Sequence, residues 1–299
     1  MKILVTGGAG FIGSHVVDQY IAQGHEVAVI DNLSTGSLKN LHPQARFYNA
    51  DITDEKNVAE IFADVEPEIV NHHAAQVSVT ESQKNPAFTQ TVNYQGTVNL
   101  LKQPGIKRFI FASTGGAMFS DPASLPATEE TPAHPVSTYG ISKLSAEQAV
   151  KEYAGRNGFS YVILRYANVF GPRQNSHGES GVMAIFAELA RAGKQPTIYN
   201  KDAIRDYVYV GDIARANLLA LTAGAGVYHI GTGIETTNQQ VFDAIAKAFN
   251  WQVPPRYEGA RSGDVARSVL ACAKALRELN WQSQITIEKG IELLRDYAL

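Results

Sequence analysis

Tyr139 and Lys143 stand four residues apart in the stretch Ser137-Thr138-Tyr139-Gly140-Ile141-Ser142-Lys143, where a helix should begin. On a helix, residues i and i+4 share a face, so the Lys143 ammonium is expected beside the Tyr139 phenol, favouring its ionised form. A free tyrosine titrates near ~10, and a neighbouring cation is the simplest means of tuning one into a general base. Pairs at this spacing also occur by chance on solvated helices. What gives this one meaning is the N-terminus.

There, the apolar run Lys2-Ile3-Leu4-Val5 leads into Thr6-Gly7-Gly8-Ala9-Gly10-Phe11-Ile12-Gly13, and apolar residues then recur at helical spacing: Val16, Val17, Tyr20 and Ile21. The pattern predicts strand, glycine turn, helix. Gly7, Gly10 and Gly13, with Phe11 and Ile12 between them, would bring backbone N–H groups against a pyrophosphate at the positive end of the helix. A second strand, Glu26–Ile30, ends in Asp31, eighteen residues past Gly13, where a carboxylate would accept from a ribose hydroxyl. Asp31 would repel a 2′-phosphate. The following Asn32-Leu33-Ser34-Thr35-Gly36 contains no arginine to bind one, so NAD is expected rather than NADP, with Asn32, Ser34, Thr35 and Gly36 beside it.

The chain has 299 residues, room for one large or two modest domains, and a net charge of −3 that leaves no basic footprint for nucleic acid. Its single cysteine, Cys272, excludes an internal disulfide framework and suits a reducing compartment. No apolar stretch is long enough to span a bilayer, and the N-terminus reads as the first strand rather than a signal peptide. A cytoplasmic location is expected. Strands and helices alternate: a strand near Arg46–Tyr48, a helix at Asp54–Phe62, a strand at Ile69–His72, a helix from Pro86 to about Leu101, a strand at Arg108–Ala112, the Tyr139 helix to about Tyr153, and a strand at Tyr161–Leu164. This is the α/β class, a Rossmann-type doubly wound parallel sheet with ligands beyond the carboxyl ends of its strands. Further on come a helix (Val182–Ala192), the segment Pro196–Asn200, a strand Tyr207–Val210, a helix Ile213–Leu221 and a strand Gly226–Ile230 returning to the sheet. Residues 1–168 plus about 201–233 are assigned to the NAD-binding domain, and about 169–200 plus 234–299 to a smaller substrate lobe. His15, His25 and His42 read as solvated, and His72 and His73 lack metal-ligand spacing, so no metal is expected.

With these motifs in hand, the sequence resembles the extended short-chain dehydrogenase/reductases, most closely their UDP-glucose 4-epimerase branch, over nearly its whole length. The matching residues are Thr6-Gly7…Gly10…Gly13, Asp51-Ile52, His73-Ala74-Ala75, Asn93, Ser113-Thr114, Tyr139…Lys143, Tyr166-Ala167-Asn168-Val169-Phe170-Gly171-Pro172, Arg205-Asp206-Tyr207 and Arg261-Ser262-Gly263-Asp264. The resemblance implies that Asp51 and Ile52 flank the adenine, that His73, Ala74, Ala75, Gln76, Asn93 and Tyr166 line the cofactor, and that Tyr139 and Lys143 hold the nicotinamide ribose. It places Ser78, Asn168, Val182, Tyr199, Arg205, Arg261 and Asp264 around a UDP-sugar, the arginines matching phosphate geometry bidentately. Ser268, four residues past Asp264, would approach C2 of the hexose, where a small residue admits N-acetyl sugars. A homodimer through the Pro86–Leu101 and Tyr139–Tyr153 helices is implied as well.

The implied reaction inverts C4 through a transient 4-ketose: Tyr139, aided by Lys143, takes the 4-OH proton while NAD takes the hydride, and Thr114 bonds the same oxygen, with Ser113 as the fallback. The 4,6-dehydratases and decarboxylases place an acid directly after that Thr or Ser, where this chain has Gly115-Gly116. A non-catalytic relative would have no use for the Tyr/Lys pair. A UDP-glucuronate 4-epimerase is the nearest rival. The sequence departs from the family at Pro104-Gly105, which cuts a helix short, at Phe119-Ser120, which replaces Tyr-Gly, and at its short C-terminal end.

Overall fold

The computed structural model describes residues 1–119, 125–175, 181–260 and 265–297. Its centre is a seven-stranded sheet. The strands are β1 (Lys2–Thr6), β2 (Glu26–Asp31), β3 (Arg46–Asn49), β4 (Ile69–His72), β5 (Arg108–Thr114), β6 (Ser160–Tyr166) and, after four short strands, β11 (Gly226–Ile230). They run parallel in the order β11-β6-β5-β4-β1-β2-β3. Strands buried on both faces read as continuous apolar runs, and β1 shows why: Ile3 and Val5 enter the apolar cluster on one face, Leu4 the cluster on the other.

The first half of the chain supplies helices α1 (Phe11–Ala22), α2 (Glu55–Val65), α3 (Val79–Lys84), α4 (Pro86–Gln90), α5 (Gly96–Leu101) and α6 (Thr138–Asn157). Helix α6 begins where Ser137 caps it, accepting from the Gly140 N–H at 3.0 Å, and ends at Gly158, whose φ of 76° few other residues adopt. It therefore runs one turn beyond the expected end near Tyr153. The expected Pro86–Leu101 helix contains a π turn at Thr91–Gln95 between α4 and α5, a feature common at functional sites.

Beyond β6 the elements shorten: β7 (Asn168–Phe170), α7 (Val182–Arg191), β8 (Thr197–Tyr199), β9 (Ile204–Arg205), β10 (Tyr207–Tyr209) and α8 (Val210–Leu219), then, past β11, β12 (Thr236–Thr237), α9 (Asn238–Ala248), β13 (Arg256–Glu258), β14 (Arg267–Ser268), α10 (Ala273–Leu279) and α11 (Ile287–Asp296). They form three small sheets, β10-β7, β12-β9-β14 and β13-β8, so the Tyr207 strand pairs with β7 rather than entering the main sheet. A third apolar cluster, with Phe186, Phe242, Ile245, Trp251 and Ile291, joins α7, α9 and α11, while Leu279 and Trp281 belong to the large cluster on the sheet. Among the described residues no helix is long and apolar enough to cross a membrane.

Candidate active site

The last residues of β6, β5, β4, β1 and β2 are Tyr166, Thr114, His72, Thr6 and Asp31. They form a row along one edge of the sheet. Strand order reverses between β1 and β4, and a doubly wound sheet opens its ligand crevice at that point. The two sides touch there: a Cβ on Gly7, itself at φ +70°, would lie 2.7 Å from the Ala74 nitrogen. The turn is equally tight within itself, since a Cβ on Gly13 would lie 2.2 Å from the Gly7 carbonyl oxygen. Glycine is required at both positions by space.

This turn fits a dinucleotide. No side chain caps α1 and no acidic residue stands in its first turn, so the N–H groups of Phe11, Ile12 and Gly13, which have no acceptor within the helix, present their positive end outward. Asp31 is buried, accepting from the N–H groups of Ala9 (3.0 Å) and Leu33 (2.8 Å), which ties the glycine turn to the end of β2. Gly36 packs against Asp31 and Ala9. Asn32 donates to Asp51 at 2.8 Å, Ser34 donates its N–H to Asn32, and Ser34 and Thr35 are exposed. Burial works to raise the Asp51 carboxyl, yet hydrogen bonds from Thr53 and Asn32 win and hold it below its usual range. Ile52 packs on Gly96.

Across the crevice, the π turn serves one side chain. The Asn93 carboxamide accepts from the Gln76 N–H (2.7 Å) and donates to the Gln76 carbonyl (2.9 Å) and to Ser142 on α6 (2.9 Å). It fixes the segment carrying His73, Ala74, Ala75 and Gln76 against α6. His73 stacks on Tyr166 at 6.1 Å, and its Nε2 is buried without a partner. An orphan of that kind beside the glycine turn is consistent with a ligand site. The Tyr166 hydroxyl accepts from Asn217 (2.9 Å).

Thr114 ends β5, its hydroxyl accepting from the Ala117 N–H at 3.1 Å. Ser113 points to the other side of the strand and donates to Glu147 at 2.6 Å, so it cannot stand in for Thr114. The Tyr139 phenol does not follow the expectation from spacing. Burial pushes it up to about 12, with a hydrogen bond to Thr114 working the other way. Lys143 leans over the Phe111 ring, 4.3 Å from its centre, and burial brings its ammonium down to about 7, opposed by the charge of Glu147. Helical spacing sets a shared face but says nothing of the dielectric, and here burial disfavours both charged forms. Sequence reasoning missed Glu147 and its partner Arg165. The available signal was that Glu147 follows Lys143 by one helical turn.

On the substrate side, Asn168 donates to the Asp206 carbonyl at 3.1 Å. A Cβ on Gly116 would make ordinary contact with that carboxamide, 3.9 Å from its Oδ1, while a Cβ on Gly115 would meet Leu270 at 2.4 Å. Arg205 and Ser268 are direct register partners in β9 and β14. Asp206, beside Arg205, binds the hydroxyl and N–H of Thr232 and the N–H of Gly233, which anchors this small sheet. Val182 opens α7, Tyr199 ends β8, and the Ser78 hydroxyl caps α3. Arg261 and Asp264 lie outside the described residues. Phe119 is buried against His229 and beneath Arg165. His15 is half-buried and bonded to the Pro172 carbonyl rather than solvated.

Residues 3–231 match the model of the NAD dependent epimerase/dehydratase family. The UDP-glucose 4-epimerase of Mycolicibacterium smegmatis is 38% identical over 97% of this chain and 96% of its own length. Two crystal structures superpose closely. A UDP-glucose 4-epimerase from Thermotoga maritima with UDP-glucose has a TM-score of 0.98 at 44% identity, covering 99% of this chain and 98% of its own. One from Thermus thermophilus in complex with NAD has 0.95 at 42%, with coverage of 99% and 98%.

Proposed function

The chain belongs to the NAD dependent epimerase/dehydratase family, and we propose that within it the protein is an NAD-dependent isomerase that interconverts UDP-glucose and UDP-galactose by inversion at C4. The observation that carries this reading is the junction of β5 and α6, where Thr114, Tyr139 and Lys143 meet at the sheet edge that also holds the glycine turn and Asp31. A C–OH centre with no adjacent carbonyl cannot be inverted by simple deprotonation, and transient oxidation removes that obstacle. Bound NAD supplies the hydride acceptor and a positive charge to the site. Tyr139 takes the 4-OH proton and later returns one, Thr114 donates a hydrogen bond to the same oxygen, and the Lys143 ammonium supports the phenolate. The Phe11–Gly13 N–H groups hold the pyrophosphate of the cofactor and Asp31 its ribose; Asn93 keeps the Gln76 segment in place.

Asn168, Arg205 and, from the sequence motif, Arg261 are proposed to grip the UDP pyrophosphate while the hexose turns between its two faces, with Val182 and Tyr199 near the uracil. Space at Gly115 bears on the rival chemistry. An acid directly after Thr114 would collide with Leu270, which counts against a dehydratase or decarboxylase. UDP-glucuronate 4-epimerisation would use the same machinery and remains the second reading. Incubating the protein with NAD and a panel of UDP-sugars, followed by product NMR, tests the assignment: UDP-galactose from UDP-glucose supports it, and a 4-keto-6-deoxy product or carbon dioxide release overturns it.

A homodimer is part of the proposal. Phe88, Tyr94 and Ile141 are exposed on the α4 to α6 surface, as a helix-to-helix interface would require, and a monomeric mass in light scattering would remove it. A cytoplasmic location belongs to the same proposal, supported by a single cysteine and NAD-linked sugar chemistry.

A further inference from the structure

Tyr139, Lys143 and Glu147 follow one another at intervals of four on α6, so they line a single face of it. Glu147 is 0% exposed. Its Oε1 accepts from Ser113 Oγ (2.6 Å) and Arg165 Nε (2.9 Å), and its Oε2 accepts from Arg165 Nη2 (2.7 Å). Ser113 and Arg165 are register partners on β5 and β6. Each directly precedes a residue at the sheet edge, Thr114 and Tyr166. One carboxylate thus joins the helix that carries the proposed base to the strand that carries its hydrogen-bonding partner.

We propose that Glu147 is a positioning residue of the reaction centre, fixing α6 against β5 and β6 and supplying the buried negative charge that keeps Lys143 an ammonium beside Tyr139. The role assigned to Lys143 rests on the epimerase reading; the charge relation does not. A brace alone would not need ions, because an apolar pair of similar volume generally holds such elements as well as a buried ion pair does. The groups around Lys143 show what the charge is for. His72 and His73, from the end of β4, are both held neutral, chiefly by burial. Phe111 on β5 offers its ring, Ser113 is engaged by Glu147, and the Arg165 guanidinium on β6 is matched bidentately by the carboxylate. Within the helix, Tyr139 is a neutral phenol. Glu147 is the carboxylate whose charge opposes the effect of burial on Lys143.

The test follows Lys143 directly, by 13C NMR of the full chain labelled with [13Cε]lysine and assigned with Lys143→Arg, alongside pH profiles of kcat/KM for UDP-glucose with NAD. Glu147→Gln keeps the shape and removes the charge. It is expected to lower the Lys143 midpoint by about one pH unit or more and to move the alkaline limb of kcat/KM down with it. Above that limb the loss is about tenfold per unit, falling on kcat more than on KM. Glu147→Asp, which retains the charge, should return the midpoint toward that of the unaltered protein. Should Glu147→Gln leave Arg165 stranded and the chain unfolded, the double variant Glu147→Gln/Arg165→Met has no orphan charge and is expected to shift the midpoint in the same direction but by less, because the repulsion of the guanidinium is removed with the carboxylate. A folded variant without the carboxylate whose Lys143 midpoint is unmoved overturns the proposal, whatever its activity. Absence of turnover in the unaltered protein would instead strike the epimerase reading and leave the NMR titration intact.

Discussion

Gly115 and Leu270, 155 residues apart in sequence, are in such close approach that a Cβ added to the glycine would stand 2.4 Å from Leu270 Cδ1. The contact joins the loop after Thr114 to the strand region that carries Ser268. It also gives the glycine a steric reason independent of backbone conformation. Gly115→Ala is expected to cost about 1–3 kcal/mol through overpacking. Leu270→Ala in that background should recover part of the loss, giving a favourable coupling energy in a double-mutant cycle by urea denaturation. Strictly additive effects would show that the two side chains do not compete for the space.

Ser113 and Thr114 are adjacent, yet the strand sends them to opposite faces, Ser113 to Glu147 and Thr114 toward Tyr139. Tyr139→Phe is expected to abolish nearly all turnover. Thr114→Ala should lower kcat by about tenfold to a thousandfold, the range for losing one positioned hydrogen-bond donor. Ser113→Ala should retain far more activity than Thr114→Ala. Steady-state assays with UDP-galactose decide it, and the reverse ranking would reassign the hydroxyl.

Asp31 accepts from the Ala9 N–H of the glycine turn and from the Leu33 N–H just past β2, so its carboxylate both shapes the proposed cofactor site and sets its charge. Native protein should bind NAD well ahead of NADP in calorimetry. Asp31→Ala should weaken NAD and narrow the gap, because repulsion of a 2′-phosphate is removed together with the ribose acceptor. Equal affinity of the native chain for both cofactors would sink the assignment.

Much of this site is local in sequence and was legible for that reason. The glycine turn, Asp31 and the Tyr139…Lys143 pair each declare themselves within a few residues, and the alternation of elements dictates the doubly wound sheet. What spacing did not convey was environment. The Tyr139 phenol and Lys143 ammonium share a face as expected, but burial moves the first up to about 12 and the second down to about 7. The π turn was illegible because its cause is tertiary: Asn93 bonds to Gln76 and to Ser142, 17 and 49 residues away. Arg205 and Ser268 belong to separate stretches of sequence. Their side-by-side pairing depends on a short parallel ladder that no local pattern announces.

Buried histidines set the acid side of stability. Burial lowers His72 well below its ordinary value, brings His73 down to about 3 with help from Lys143, and brings His229 down to about 4 with help from Arg165. The unfolded chain therefore binds more protons than the native one from about pH 6.5 downward, and stability must fall as pH drops through that window. Each such group contributes a slope of up to about 1.4 kcal/mol per pH unit. Lys143 has the same sign at higher pH: unfolded it holds its proton up to 10.5, folded only to about 7, so stability rises across that interval. Urea midpoints should decline steadily from pH 7 to 4.5, and less steeply in His229→Gln. A flat profile would mean that these rings are not buried as neutral groups.

Ser268 is proposed to set the size of the hexose site. In β14 the side chains alternate: exposed Arg267 pairs with Glu235, while Ser268, 7% exposed, shares the register position and hence the face of Arg205. Arg205 is the residue proposed to hold the pyrophosphate; on that proposal Ser268 would lie next to the anchored end of the substrate, where a serine would leave room beside the sugar. We therefore expect the native protein to epimerise UDP-N-acetylglucosamine alongside UDP-glucose. Ser268→Tyr should suppress the acetylated substrate selectively. Overpacking of a filled site costs about 1–3 kcal/mol, and about 1.4 kcal/mol corresponds to a tenfold change in rate, so the ratio of kcat/KM values should shift by about tenfold or more toward UDP-glucose. Parallel losses on both sugars would show the tyrosine damaging the β9–β14 ladder or the Arg205 contact. A native protein inactive on the N-acetyl sugar would place the size filter elsewhere in the lobe.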